Sequence, residues 1–172
     1  MDFVQKSEKD DWQTPPRVWQ PIKDMDEISL DPCAGEIEFA ENNFHLPTDG
    51  LLEDWFDVVF VNPPFSEKEK WLKKSVQEFK YGAAKRIYVI TPDSTNTSWW
   101  NDYIATDFSV SWFPNGRVEY IQPGEEDDTS GVSFGSAVSV IGQPPNSLLN
   151  HWDERGDVVY REREDVGSLF EY

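Results

Sequence analysis

Along this chain, short runs of consecutive apolar or β-branched residues alternate with stretches whose apolar positions recur every three or four residues. Thr14 followed by Pro15 and Pro16 predicts a helix that Thr14 caps, with Pro15 in its first turn and its end near residue 24. Residues 28–30 then read as a short buried strand, and after Gly35 a short helix is expected to about residue 43. Residues 57–61 form the most hydrophobic strand, and the two prolines behind it must end it. Ser66 with Glu69 has the spacing of a capping box, and the helix it opens puts Leu72, Val76 and Phe79 on one core-facing side. A strand over 86–91, a helix over 97–105 and a strand over 108–113 follow.

Residues 117–121 and 132–141 read as a final antiparallel pair around an acidic loop at Glu125, Glu126, Asp127 and Asp128. The stretch from residue 150 onward has no clear period, although 157–161 suits an edge strand. This alternation predicts an α/β fold: a three-layer sandwich with a mostly parallel, Rossmann-like sheet that ends in an antiparallel hairpin. Ligands of such a sheet bind at the carboxyl ends of its strands.

A length of 172 residues with 38% hydrophobic content supports one well-buried core, so a single domain over 1–172 is expected. No apolar run approaches a membrane span and no apolar signal segment opens the sequence, which predicts a cytoplasmic protein. Cys33 is the single cysteine and has no metal-site neighbours, so neither a disulfide nor a bound metal is expected. It reads as a small core filler rather than a reactive thiol.

The net charge of −18 changes the picture, because it opposes the basic footprint of a nucleic-acid binder. Such an excess suits a halophilic cytoplasm, where at ~1 M salt the screening length falls to about 3 Å. An acidic protein from an ordinary cell is the plainer alternative. Locally the sign reverses: between Glu67 and Arg86 seven Lys or Arg stand against three acids. Lys70, Lys73 and Lys74 share the helix side opposite Leu72 and could meet DNA phosphates, or simply be solvated.

Two segments fall at carboxyl ends of expected strands: Asp31, Pro32, Cys33, Ala34, Gly35 after the first, and Asn62, Pro63, Pro64, Phe65 after a later one. A polar residue, two prolines and an aromatic should arise by chance in roughly one chain of this length in 150. Its position 27 residues after Gly35, directly behind the most hydrophobic strand, makes the combination far more specific. With Trp12, Gln13, Thr14, Pro15 upstream, Asp49, Gly50, Leu51 between, and the 95–100 and 116–118 segments downstream, the chain resembles the small phage-type Dam family of DNA N6-adenine methyltransferases. The likeness runs from Trp12 to about Tyr120, which points to a viral or proviral enzyme.

That resemblance implies S-adenosylmethionine as cofactor and double-stranded DNA as partner. It places Thr14, Pro15, Asp31, Pro32, Cys33, Ala34, Gly35 and Asp49 in the cofactor pocket, with Asp49 accepting from the cofactor's adenine. An Asp-Gly turn explains Asp49 equally well. Glu36, Glu38 and Glu41 all qualify to hold the ribose. Catalysis falls to Asn62, Pro63, Pro64 and Phe65: the Asn62 oxygen and Pro63 carbonyl accept the amine's hydrogens, and Phe65 stacks on an adenine flipped out of the duplex. Trp99 and Trp100 are expected to be core, with base stacking as the alternative. Competing readings are methylation of cytosine N4 or of protein glutamine, an inactive methyltransferase-like protein, and a non-catalytic acidic DNA mimic. Too few residues separate Asp31 from Asn62 for a target-recognition domain.

Overall fold

The structure is a computed structural model that describes residues 12–122 and 134–161. Helix α1, Pro16–Asp26, begins with Pro16 in its first turn, where the missing amide hydrogen costs nothing, and buries Val18 and Ile22. Thr14 does not cap it. Pro15 stands at the cap position without a side-chain bond, and Thr14 is buried instead. The helix stops at Glu27, whose φ of 70° lies in the left-handed region.

The sheet is built from β1 (Leu30–Asp31), β2 (Asn42–Asn43), β3 (Phe56–Val61), β4 (Ala83–Pro92), β5 (Val110–Pro114), β6 (Ser136–Ile141) and β7 (Gly156–Tyr160). Their spatial order is β2-β1-β3-β4-β6-β5-β7. The first four strands are parallel and the remaining pairings antiparallel, so the expected Rossmann-like α/β sheet with an antiparallel end is present. Both faces are covered, which is why β3 and β4 read as almost unbroken apolar runs. Val58, Phe60, Tyr88 and Ile90 join one core with Val18, Ile22, Leu148 and Trp152. Their pleat neighbours Val59, Val61, Ile87 and Val89 join the other with Trp71, Leu72 and Ile104.

Helix α2, Lys68–Tyr81, is preceded by a 3₁₀ turn, Phe65–Glu67. Glu67, rather than the expected Ser66, stands at the N-cap of α2, and its own side chain makes no cap bond. The helix expected near 97–105 is a π-helical segment, Trp100–Ile104, continued by α3, Ala105–Asp107. Both Trp99 and Trp100 are core. Helix α4, Asn146–Asp153, which the sequence period did not reveal, covers the other face beside α1 and leads into β7, the expected edge strand.

Two expected elements are absent. Residues 35–43 form no helix: Gly35 and Glu36 leave the strand direction, and the chain returns as the two-residue β2. Residues 117–121 are not the antiparallel partner of β6. The antiparallel partners of that strand are β4 and β5, while Ile121 makes an isolated bridge with Gln13. The acidic residues 125–128 lie outside the described residues.

Candidate functional site

The strand order places the site. From β1 the chain moves to β2 on one side, then returns to β3 on the other, so the carboxyl ends of β1 and β3 diverge and leave a crevice between them. A cavity of about 920 Å³ opens there, within the ~300–1,000 Å³ usual for ligand pockets. Thr14, Asp31, Pro32, Cys33, Ala34, Gly35 and Asp49 all line it, together with Asn62 and Pro64. Pro15 is buried behind it at the start of α1.

Asp31 ends β1 and is only 4% exposed. Its Oδ1 accepts the Cys33 backbone N–H at 3.0 Å. Burial nevertheless dominates and pushes its carboxyl up to about 7, against smaller downward pulls from that hydrogen bond and from His45. The cavity therefore holds an acid whose ionised form calls for a cation. Thr14 Oγ1 and Trp71 Nε1, both buried side chains of cavity-lining residues, have no hydrogen-bond partner among the described residues.

Asp49 makes the turn and also lines the cavity. Its Oδ1 accepts the Leu51 N–H at 2.9 Å. The turn sits hard against the β1 loop: a Cβ on Gly50 would lie 1.9 Å from the Pro32 carbonyl oxygen. Gly50 is thus required for two cavity walls to touch. Gly35 lines the cavity, and a Cβ added to it would lie 3.2 Å from atoms of the Gln13 side chain, so the glycine also leaves room for Gln13 to pack against the loop. Gln13 is buried, accepts the Ile37 N–H at 2.7 Å through Oε1, and holds the 33–37 loop in shape. Of the acids considered for the ribose, Glu36 lines the cavity, whereas Glu38 pairs with His45 at 2.5 Å and Glu41 is exposed elsewhere.

The loop of residues 62–65, which would be the acceptor loop, follows β3. Asn62 donates its Nδ2 hydrogen to the Trp12 carbonyl at 2.7 Å, which fixes the amide and turns Oδ1 to the other side. Pro63 is buried, and the Pro64 carbonyl accepts the Glu67 N–H at 2.9 Å to start the 3₁₀ turn. Phe65 does not line the cavity. It packs edge-to-face against Tyr120 at 6.0 Å and Phe134 at 5.0 Å, an aromatic cluster at the same edge of the sheet. Tyr120 Oη is buried against Ser136 Oγ at 2.8 Å, and burial raises its phenol above the usual range.

The three lysines separate. Lys70 lines the cavity rim, mostly exposed, with Glu67 at 3.5 Å; Lys73 is exposed. Lys74 is 15% exposed, pairs with Glu78 at 2.6 Å and lies over the Trp55 ring. Sequence reasoning missed Trp55 and Trp71, which stack at 6.1 Å behind the Gly50 wall, with Trp55 Nε1 donating to the Gly50 carbonyl at 2.8 Å. Neither stands in a motif, so only the fold reveals them.

A DNA N-6-adenine-methyltransferase of Escherichia phage T1 is 21% identical over 160 residues, which take in 91% of this chain and 63% of that protein. The chain therefore spans somewhat less than two thirds of that relative's length. The family described as DNA N-6-adenine-methyltransferase (Dam) matches residues 3–167, and every segment of the cavity and the acceptor loop falls inside that match. The chain belongs to the DNA N-6-adenine-methyltransferase (Dam) family.

Proposed function

We propose that this protein transfers a methyl group from S-adenosylmethionine to the exocyclic N6 amine of an adenine flipped out of double-stranded DNA. The observation that carries the reading is the tethered Asn62. Because its Nδ2 is held by the Trp12 carbonyl, its Oδ1 is the acceptor available to a planar amine at the cavity mouth.

The cavity suits this cofactor. Asp31 is a buried acid that would be ionised by the cofactor's ammonium, and Pro32, Cys33, Ala34 and Gly35 would wall in its amino acid portion. Asp49 would accept from the adenine amine, Glu36 would take the ribose, and Thr14 would close the near side, with Pro15 fixing its direction. When bound, S-adenosylmethionine supplies an electrophilic methyl, whose S–C bond breaks with its electron pair passing to sulfur as the N–C bond forms.

The residues of the acceptor loop do the rest. An aromatic amine is a poor nucleophile because its lone pair is delocalised into the ring. Asn62 Oδ1 and the Pro63 carbonyl would accept its two hydrogens, draw the nitrogen toward tetrahedral geometry and hold the proton it must lose to water. Neither proline offers a competing amide hydrogen. Phe65, backed by Tyr120 and Phe134, would stack on the base, and Lys70 with Lys73 would meet phosphates beside it. The acidic excess suits a medium salty enough to screen it.

Plasmid DNA incubated with the protein and S-adenosylmethionine in low and molar potassium chloride, then digested to nucleosides for mass spectrometry, tests the reading. N6-methyladenine is expected. N4-methylcytosine, or no methylation at any salt, would replace it.

A further inference from the structure

We propose that Lys68 is a positioning residue that holds the acceptor loop in shape, and that the 95–100 segment exists to support it; this rests on the reading of residues 62–65 given above. Lys68 is the first residue of α2. A cation there faces the positive end of the helix dipole, an unfavourable arrangement that calls for a compensating role. Its contacts supply one. Lys68 Nζ donates to the Phe65 carbonyl at 3.1 Å, within the loop that carries the two prolines, and stands 5.3 Å from the centre of the Trp99 ring. Both partners are uncharged acceptors of a cation: a backbone carbonyl and the face of an aromatic ring.

The Trp99 side of this contact is itself braced. Asn101 Nδ2 donates to the Thr97 carbonyl at 2.8 Å, and Thr97 Oγ1 donates to the Ser94 carbonyl at 2.7 Å. Trp99 is 7% exposed and packs at 5.9 Å against Trp100, where the π-helical segment begins. A π-helical turn is rarely retained without a local purpose, and here it follows directly on the aromatic that carries Lys68. The segment thus gains a function that base stacking by its buried tryptophans could not supply. The acceptor loop is held at both ends: Asn62 by the Trp12 carbonyl, Phe65 by Lys68.

Lys68→Met keeps the aliphatic stem and removes the donor; Lys68→Arg keeps a donor and a cation for the ring. In the ligand-free full chain, hydrogen–deuterium exchange over residues 62–68 should quicken in Lys68→Met and return toward wild type in Lys68→Arg. Trp99→Phe should give a smaller acceleration. With DNA and S-adenosylmethionine, kcat of Lys68→Met should fall about tenfold, the rate equivalent of one charge-assisted hydrogen bond, while cofactor affinity and the Michaelis constant for DNA stay within about twofold. A raised Michaelis constant for DNA with unchanged kcat would make Lys68 a phosphate contact and overturn the proposal, as would unchanged exchange in both Lys68→Met and Trp99→Phe. Absence of methylation by the wild type would remove the proposed function alone, since the exchange measurement judges Lys68 without catalysis.

Discussion

The buried acid at the end of β1 makes a prediction whose size the structure fixes. Asp31 is raised from 3.8 to about 7, chiefly by burial, so near neutral pH its folded form is about half protonated. A group raised on folding stabilises the fold fully below its unfolded value and loses that contribution as pH climbs through 7. At about 1.36 kcal/mol per pH unit, the charged Asp31 at pH 8 costs the ligand-free protein about 4 kcal/mol relative to a neutral side chain of the same shape. Asp31→Asn should therefore raise the melting temperature at pH 8, by on the order of 10 °C, and leave it little changed near pH 4. Binding should move the opposite way. The cofactor's ammonium needs the carboxylate, so affinity should fall about tenfold per pH unit below 7, reaching about 100-fold at pH 5, and Asp31→Asn should bind weakly at every pH. Calorimetry with S-adenosylmethionine and S-adenosylhomocysteine, which share the ammonium, measures this directly. Affinity that is flat from pH 5 to 8, or an Asn variant less stable than wild type at pH 8, refutes the account of Asp31.

Three further outcomes follow from other parts of the site. Asn62→Ala should reduce kcat roughly 10²–10³-fold and leave cofactor affinity intact, because the amide acts on the target nitrogen; near wild-type rates of N6-methyladenine formation would misplace the acceptor loop. Gly50→Ala drives a methyl into the Pro32 carbonyl, so it should weaken cofactor binding and lower the melting temperature together; a variant that binds normally would disprove the contact between the two loops. The melting temperature of the wild type should rise from low to molar potassium chloride as acid–acid repulsion is screened, and a flat or falling curve would remove the halophilic reading.

Legibility differed between the strands and what joins them. β3 and β4 could be read because burial on both sheet faces leaves an unbroken β-branched run. The end of β3 could be read because the two prolines behind it cannot continue a central strand. Residues 35–43 were misread as a helix because their shape is set from outside, by Gln13 accepting the Ile37 N–H across 24 positions of sequence. The same distance hid the role of Trp12, whose carbonyl meets Asn62 fifty residues on. The antiparallel pair was half right. β6 was found, but a partner was sought in 117–121, which is nearer in sequence than the strands β6 pairs with, β4 and β5. Period alone carries no information on which of two strands a third will choose.

The acidic composition also reads differently once the pairs are known. Lys70, Lys74, Lys80, Lys85, Arg86 and Arg155 each reach a carboxylate, so the few cations serve largely to neutralise neighbouring acids. Arg86, itself half-buried, does so with a bidentate hold on the buried carboxylate of Asp26, which Tyr88 also joins. The exposed pairs add little stability, at ~0–1 kcal/mol each, and salt weakens them further. A polyanion approaching this surface therefore meets scattered rather than concentrated positive charge. On the proposed function, attraction would be local, near Lys70 at the cavity rim and the exposed Lys73, and would lean on stacking and hydrogen bonds within the loop. Those are the terms that survive high salt, when counterion release no longer drives association. If the proposed function holds, an acidic exterior and a largely uncharged 62–65 loop would suit a medium in which long-range electrostatics is screened away.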